Sequence, residues 1–115
     1  MIEMCEEMYK LRDKLDMMDV PWEDNSYVMS ESMIEAMHKA CKKQISRDFI
    51  DATIYRTYFV ANGVFCSVIY GFNTHGGFDP VYHQDRGLLE LMKGYKNIGF
   101  LTADEVIHEC FGTEY

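Results

Sequence analysis

The chain holds no glycine before Gly63, two prolines in all, and no Cys-x-x-Cys pair. With no glycine in the first half, an N-terminal glycine-rich phosphate loop or dinucleotide fingerprint is excluded. No apolar run approaches the roughly 18–20 residues that a membrane-spanning helix needs. Basic residues are scarce, with Lys+Arg 11 against Asp+Glu 19 and a formal net charge of −8. A protein that binds nucleic acid in general by neutralising many phosphates is therefore not expected. The N-terminus carries Glu3, Glu6 and Glu7, the reverse of a basic signal-peptide start. These features point to a cytoplasmic chain without membrane contact. Neither a Gly-x-Ser-x-Gly nor a His-Glu-x-x-His motif is present, and no cofactor fingerprint appears.

What is there fits one ordinary domain. The length is 115 residues, 48% hydrophobic and 26% charged. That composition supports a single core spanning 1–115 and argues against disorder. Cys5, Cys41, Cys66 and Cys110 are widely and irregularly spaced, and read as reduced, mostly buried thiols. A zinc site is the sharper alternative. His38 and Cys41 would share one helix face at i, i+3, whereas His108 and Cys110 would diverge at i, i+2.

Residues 2–18 read as a first helix, because Ile2, Cys5, Met8, Leu11, Leu15 and Met18 recur at three- and four-residue steps. Its methionines could alternatively serve a partner-binding face. Pro21 holds Val20 extended and starts a strand-like segment. Ser32 and Glu35 fit a capping box, with a second helix over about Glu31–Ser46. The strongest signal spans 52–70. Two β-branched and aromatic runs flank Asn62-Gly63, the signature of a type I′ hairpin. A two-residue turn pairs Ala61 with Val64, Phe59 with Cys66, Thr57 with Val68 and Tyr55 with Tyr70, making the core face. On the opposite face Val60 meets Phe65, Tyr58 meets Ser67 and Arg56 meets Ile69. A long loop over 71–86 follows. Gly87–Lys93 reads as a short helix ended by Gly94, and Asn97–Leu101 as a short buried strand or turn. Thr102 and Glu105 form a second capping box for a last helix through Cys110, with Gly112 just past its end. The expected fold is α+β: a small twisted antiparallel sheet centred on the 52–70 hairpin, with helices packed on it.

The loop gathers groups that suit a small anion. Gly76 and Gly77 let backbone N–H groups approach a ligand. Phe72, Phe78 and Tyr82 offer faces for stacking a base, and Asn73 and Gln84 could read its edge. Arg56 and Arg86 bracket the loop, with no Lys or Arg between them. Arginine supplies the forked geometry that phosphate favours. The ligand-binding set is therefore Arg56, Phe72, Asn73, Thr74, His75, Gly76, Gly77, Tyr82 and Arg86. His75, Asp79, His83 and Asp85 could form a metal site or an acid–base pair. All four lie in one loop rather than on rigid elements, so catalysis is not expected.

Several segments resemble small phage and prophage accessory proteins. They are Met8–Asp16, Val20–Asp24, Arg56–Phe59, Asn62-Gly63, Ser67–Gly71, Thr74–Gly77, Gly87–Glu90 and Gly99–Val106. The likeness covers 8–24 and 55–112, while 25–54 fits poorly, as a family-variable insertion would. Within that group the chain most resembles the anti-Thoeris signal sponges, which bind cyclic ADP-ribose isomers and related cyclic nucleotides without degrading them. The resemblance implies a homo-oligomeric phage counter-defence protein in the host cytoplasm, sequestering one immune signal per pocket. The acidic charge supports a competing expectation, an anti-CRISPR-type inhibitor that mimics nucleic acid and blocks a host defence nuclease. A sponge needs its arginines and aromatics to converge, whereas a mimic needs carboxylates in a row on one exposed face.

Overall fold

The hairpin organises the molecule. A computed structural model describes residues 3–40, 51–71, 78–79 and 84–112. Strand β3 (Thr53–Ala61) runs antiparallel to β4 (Val64–Gly71), in the register that Asn62-Gly63 implies: Ala61 opposes Val64, Phe59 opposes Cys66, and Arg56 opposes Ile69. Asn62 and Gly63 both have positive φ, 51° and 80°, as a type I′ turn requires. Thr57, Phe59, Ala61, Cys66, Val68 and Tyr70 are buried, so the face expected to be core is core.

Helix α1 (Glu6–Met17) and helix α3 (Ala103–Phe111) cover that face. Met8, Leu11 and Leu15 are fully buried, so the apolar stripe of α1 is core, while Met17 stays exposed. The acidic first turn, Glu6 and Glu7, complements the helix dipole. At the other end Val20 N–H reaches Leu15 O at 2.9 Å and Asp19 N–H reaches Asp16 O at 3.1 Å. This is a Schellman ending, with Asp19 in the left-handed position at φ 55°. The extended segment after Pro21 becomes β1 (Trp22–Asp24), which pairs with β3. It is followed by β2 (Tyr27–Val28), which pairs with the start of the same strand.

Helix α2 (Glu31–Ala40) begins where expected, but its cap differs. Ser30, not Ser32, supplies the capping oxygen, accepting from Met33 N–H at 3.3 Å. Ser32 instead exchanges a hydroxyl contact with Ser30 at 3.1 Å, so the Ser32–Glu35 capping box does not form. Residues 41–46 of the expected helix lie outside the described residues. Ile34 and Met37 pack with Met29 and Ile54 in a second, smaller cluster. Ile54 belongs to the opposite parity on β3 from the main core, so α2 closes one end of the other sheet face.

The segment expected as a short helix is a strand. β7 (Leu89–Lys93) pairs with β4 and turns through Gly94 into β8 (Lys96–Leu101). Leu89 and Leu91 are buried while Glu90 and Met92 point the other way, a period of two that the neighbouring β4 enforces. The sheet order is β1-β3-β4-β7-β8, with β2 beside β1 on β3. Within the 71–86 loop, β5 (Phe78–Asp79) and β6 (Gln84–Asp85) form a separate two-stranded ladder. The capping box on α3 forms in full: Glu105 N–H donates to Thr102 Oγ1 at 3.3 Å and Thr102 N–H to Glu105 Oε1 at 3.0 Å. Gly112 ends the helix at φ 72°. Cys5, Cys66 and Cys110 are buried and carry no disulfide, while Cys41 lies outside the described residues. No described helix is long and apolar enough to cross a membrane.

Candidate functional site

Alternation along β3 sends Arg56, Tyr58 and Val60 to the sheet face that α1 and α3 leave open. Phe65 joins them opposite Val60, and Met92 lies one strand beyond Ser67. Val60, Phe65 and Met92 are 56%, 53% and 48% exposed, an unusual amount of apolar surface for one sheet face. Tyr58 and Phe65 meet edge to face with centroids 5.0 Å apart. At the β1 edge a groove of about 370 Å³ opens over these residues, walled by Pro21, Trp22 and Glu23. Its lining is mostly apolar, which suits the flat face of an aromatic ring.

Arg56 stands on the next rung of the same face. Its guanidinium carbon lies 4.7 Å from the Tyr27 ring and 4.8 Å from the Tyr58 ring. Its Nε donates to Asn25 O at 3.1 Å. Among the described residues no carboxylate pairs with it. The short link between β1 and β2 makes this clamp. Asn25 N–H donates to Arg56 O at 2.8 Å, and Arg56 N–H donates to Ser26 Oγ at 3.1 Å. Ser26 is held in turn by Asp24, whose Oδ1 accepts from Ser26 Oγ at 2.6 Å and Ser26 N–H at 3.0 Å. Those two bonds hold the Asp24 carboxyl below the usual carboxylate range, and the Arg12 charge adds to them. Asn25 Nδ2 is buried beside this clamp, with no hydrogen-bond partner among the described residues.

A second hollow, of about 540 Å³, opens near the other side of β3 and is lined by Glu3, Met4, Tyr9, Arg12, Asp24, Ser26 and Tyr55. Its one cation is already engaged. Arg12 donates to Thr57 Oγ1 at 2.9 Å, pairs with Asp24 at 3.3 Å and stacks over Trp22 at 4.7 Å. Glu3 and Asp24 would repel an anion there, as Glu23 would in the groove; what separates the two is that Arg12 is engaged by a carboxylate, whereas Arg56 beside the groove is not paired with one among the described residues.

The two expected arginines stack on different rings. Arg86 stacks over Phe100 on β8 at 5.4 Å. Phe100 is on β8 and Arg56 on β3, three strand spacings of about 14 Å apart in the sheet. Phe72, Asn73, Thr74, His75, Gly76, Gly77 and Tyr82 lie outside the described residues, as do His83 and the side chains of Phe78, Asp79, Gln84 and Asp85. Among the described residues no three His, Cys, Asp or Glu groups gather as metal ligands. His108 is exposed whereas Cys110 is buried in the core, so that pair diverges as its spacing implies. The residues that reading from sequence missed are Tyr27, Tyr58 and Phe65. The hairpin register already placed Tyr58 and Phe65 on the non-core face, and that exposed aromatic pair was the available signal.

Carboxylates on the helices alternate with lysines. Lys10 lies 3.7 Å from Glu6 and 3.5 Å from Glu7, Lys14 is 2.7 Å from Asp104, and Lys96 is 3.6 Å from Glu109. Comparison with protein-family profiles, curated proteins and solved structures finds no match for the chain.

Proposed function

We propose that the chain is a non-catalytic binding protein that takes up a small cyclic nucleotide and holds it unchanged. The observation that carries this reading is Arg56, clamped between Tyr27 and Tyr58 beside an exposed aromatic groove. The groove supplies an apolar face for a base, and the clamped guanidinium supplies a phosphate contact on the adjoining rung. Preorganisation matters here. The Asn25 carbonyl and two rings fix the side chain before a ligand arrives, so less rotamer entropy is lost on binding. Arg86 would take a second phosphate across the sheet, which favours a ligand wider than one mononucleotide. Cyclic ADP-ribose isomers and cyclic oligonucleotides are of that class. From the sequence, Phe72 and Tyr82 are assigned to stacking and Asn73 to Gly77 to hydrogen bonds with the ligand; all lie outside the described residues.

Sequestering an immune signal is the use that the resemblance to anti-Thoeris sponges gives to such binding. A phage setting, a host-cytoplasmic location and a homo-oligomeric assembly belong to the same proposal. The test is a thermal-shift screen against cyclic di- and trinucleotides and ADP-ribose isomers, with recovery of the bound ligand. Ligand at a hundred times its dissociation constant adds about 2.7 kcal/mol, a rise of roughly 10 °C for a domain of this size. The expected result is such a rise with one class, and the ligand recovered intact. No shift with any of them, or a cleaved product, contradicts the proposal.

A further inference from the structure

Two thiols in the core have no part in the groove. Cys66 lies on the inner face of β4 and Cys110 on the inner side of α3, 44 residues apart in sequence. Their sulfurs are 3.6 Å apart, and the residues are 0% and 2% exposed. Phe59 lies opposite Cys66 on β3 and stacks on Phe111, the neighbour of Cys110, so helix and sheet are held in register at this point. Among the described residues no third ligand type gathers around the pair, which argues against a metal.

We propose that Cys66 and Cys110 are a redox pair, which a hydroperoxide converts to a disulfide stapling α3 to β4. A disulfide needs its sulfurs about 2 Å apart, roughly 1.5 Å closer than they stand here. Cys66 is the attacking sulfur. It accepts a hydrogen bond from the Cys110 thiol, and the Lys93 ammonium lies near; both pull the Cys66 thiol below its ordinary range. Donating that bond, together with burial, pushes the Cys110 thiol up. In the first step the Cys66 thiolate attacks one peroxide oxygen, the O–O bond breaks, and an alcohol (water, for hydrogen peroxide) departs. In the second step the Cys110 sulfur attacks the Cys66 sulfenic acid, the S–O bond breaks, and water departs. The two sulfurs lose two electrons, the peroxide gains them, and both thiol protons end in the released molecules. Because both sulfurs are sealed from solvent, the peroxide reaches Cys66 only through fluctuations of the packing around the pair, and the rate follows them.

The crosslink closes a loop of more than forty residues, so the oxidised chain should melt roughly 10 °C higher. The inference is independent of the nucleotide reading. The test is to treat the reduced full chain with stoichiometric hydrogen peroxide, alkylate the remaining thiols, and map peptides by mass. The expected product has lost two hydrogens, joins the peptides holding Cys66 and Cys110, and melts higher until dithiothreitol is added. Cys66→Ser and Cys110→Ser should each abolish it. Should those variants fail to fold, the wild-type peptide map decides alone. A crosslink through Cys5 or Cys41, or sulfinic acid without a crosslink, overturns the proposal.

Discussion

Gly71 shows how closely single residues are fitted near the site. A Cβ built there would lie 2.5 Å from Ile54 Cδ1 and 3.2 Å from the Thr53 carbonyl oxygen. Ile54 is 3% exposed and anchors the α2 cluster, so it has little freedom to withdraw. Gly71→Ala should therefore destabilise the protein by about 1–3 kcal/mol, read as a lower urea midpoint. Asp24 acts through charge instead. Its folded pKa is lowered mainly by the Ser26 hydroxyl and N–H, with Arg12 behind them. A lowered folded pKa means that the unfolded chain binds the proton more readily. The stabilisation is thus present above the unfolded value, about 4, and is lost as pH falls through the folded value. Because Asp24 is more than half exposed, solvent screens the effect and keeps it small. Asp24→Asn should flatten the acid limb of stability measured between pH 6 and pH 2.5. An unchanged acid limb would remove Asp24 as its cause.

Among the elements, those fixed by local chemistry were legible in the sequence. Asn62-Gly63 imposes positive φ at two consecutive positions, so the register of β3 on β4 followed from the turn alone. Thr102 and Glu105 complete a reciprocal cap that needs no distant partner. β7 was not legible locally. Leu88, Leu89, Leu91 and Met92 before Gly94 fit a helical face as well as a strand, and only pairing with β4 decides between them. The α2 cap was missed because Ser30 and Ser32 both precede the apolar stripe, and Glu35 favoured the wrong one. The end of α1 offers a prediction at this scale. Asp19 holds the left-handed position that glycine adopts without strain. Asp19→Gly should raise stability by about 0.5–1 kcal/mol, visible as a rise of a few degrees in Tm. A fall in Tm would show that the Asp19 side chain contributes more than its backbone strain costs.

Over the whole molecule, one sheet has two unlike faces. α1 and α3 bury the first in a continuous core, and among the described residues α2 covers one end of the second. The division follows from strand parity and was readable once the hairpin register was known. The clamp on Arg56 was not readable, because it depends on Asn25, Ser26 and Tyr27 returning along β3 some thirty residues before it in sequence. That segment was the one with the least recognisable pattern. The net charge of −8 makes the clamp more important, since a phosphorylated ligand meets repulsion until short-range contacts take over. Trp22, the single tryptophan, borders the groove at the β1 edge, but its ring lies on the α1 side, where Nε1 bonds Asp16 at 2.8 Å, so occupancy is better read by heat of binding. The decisive measurement is an isothermal calorimetric titration with cyclic ADP-ribose and with the cyclic dinucleotides, on the wild type and on Arg56→Ala. The account predicts a saturable change for one of these ligands in the wild type. In Arg56→Ala the midpoint should move at least tenfold higher, with Tm within a few degrees of the wild type. A wild type that binds none of these ligands, or an Arg56→Ala variant that titrates like the wild type, would contradict the assignment of the groove.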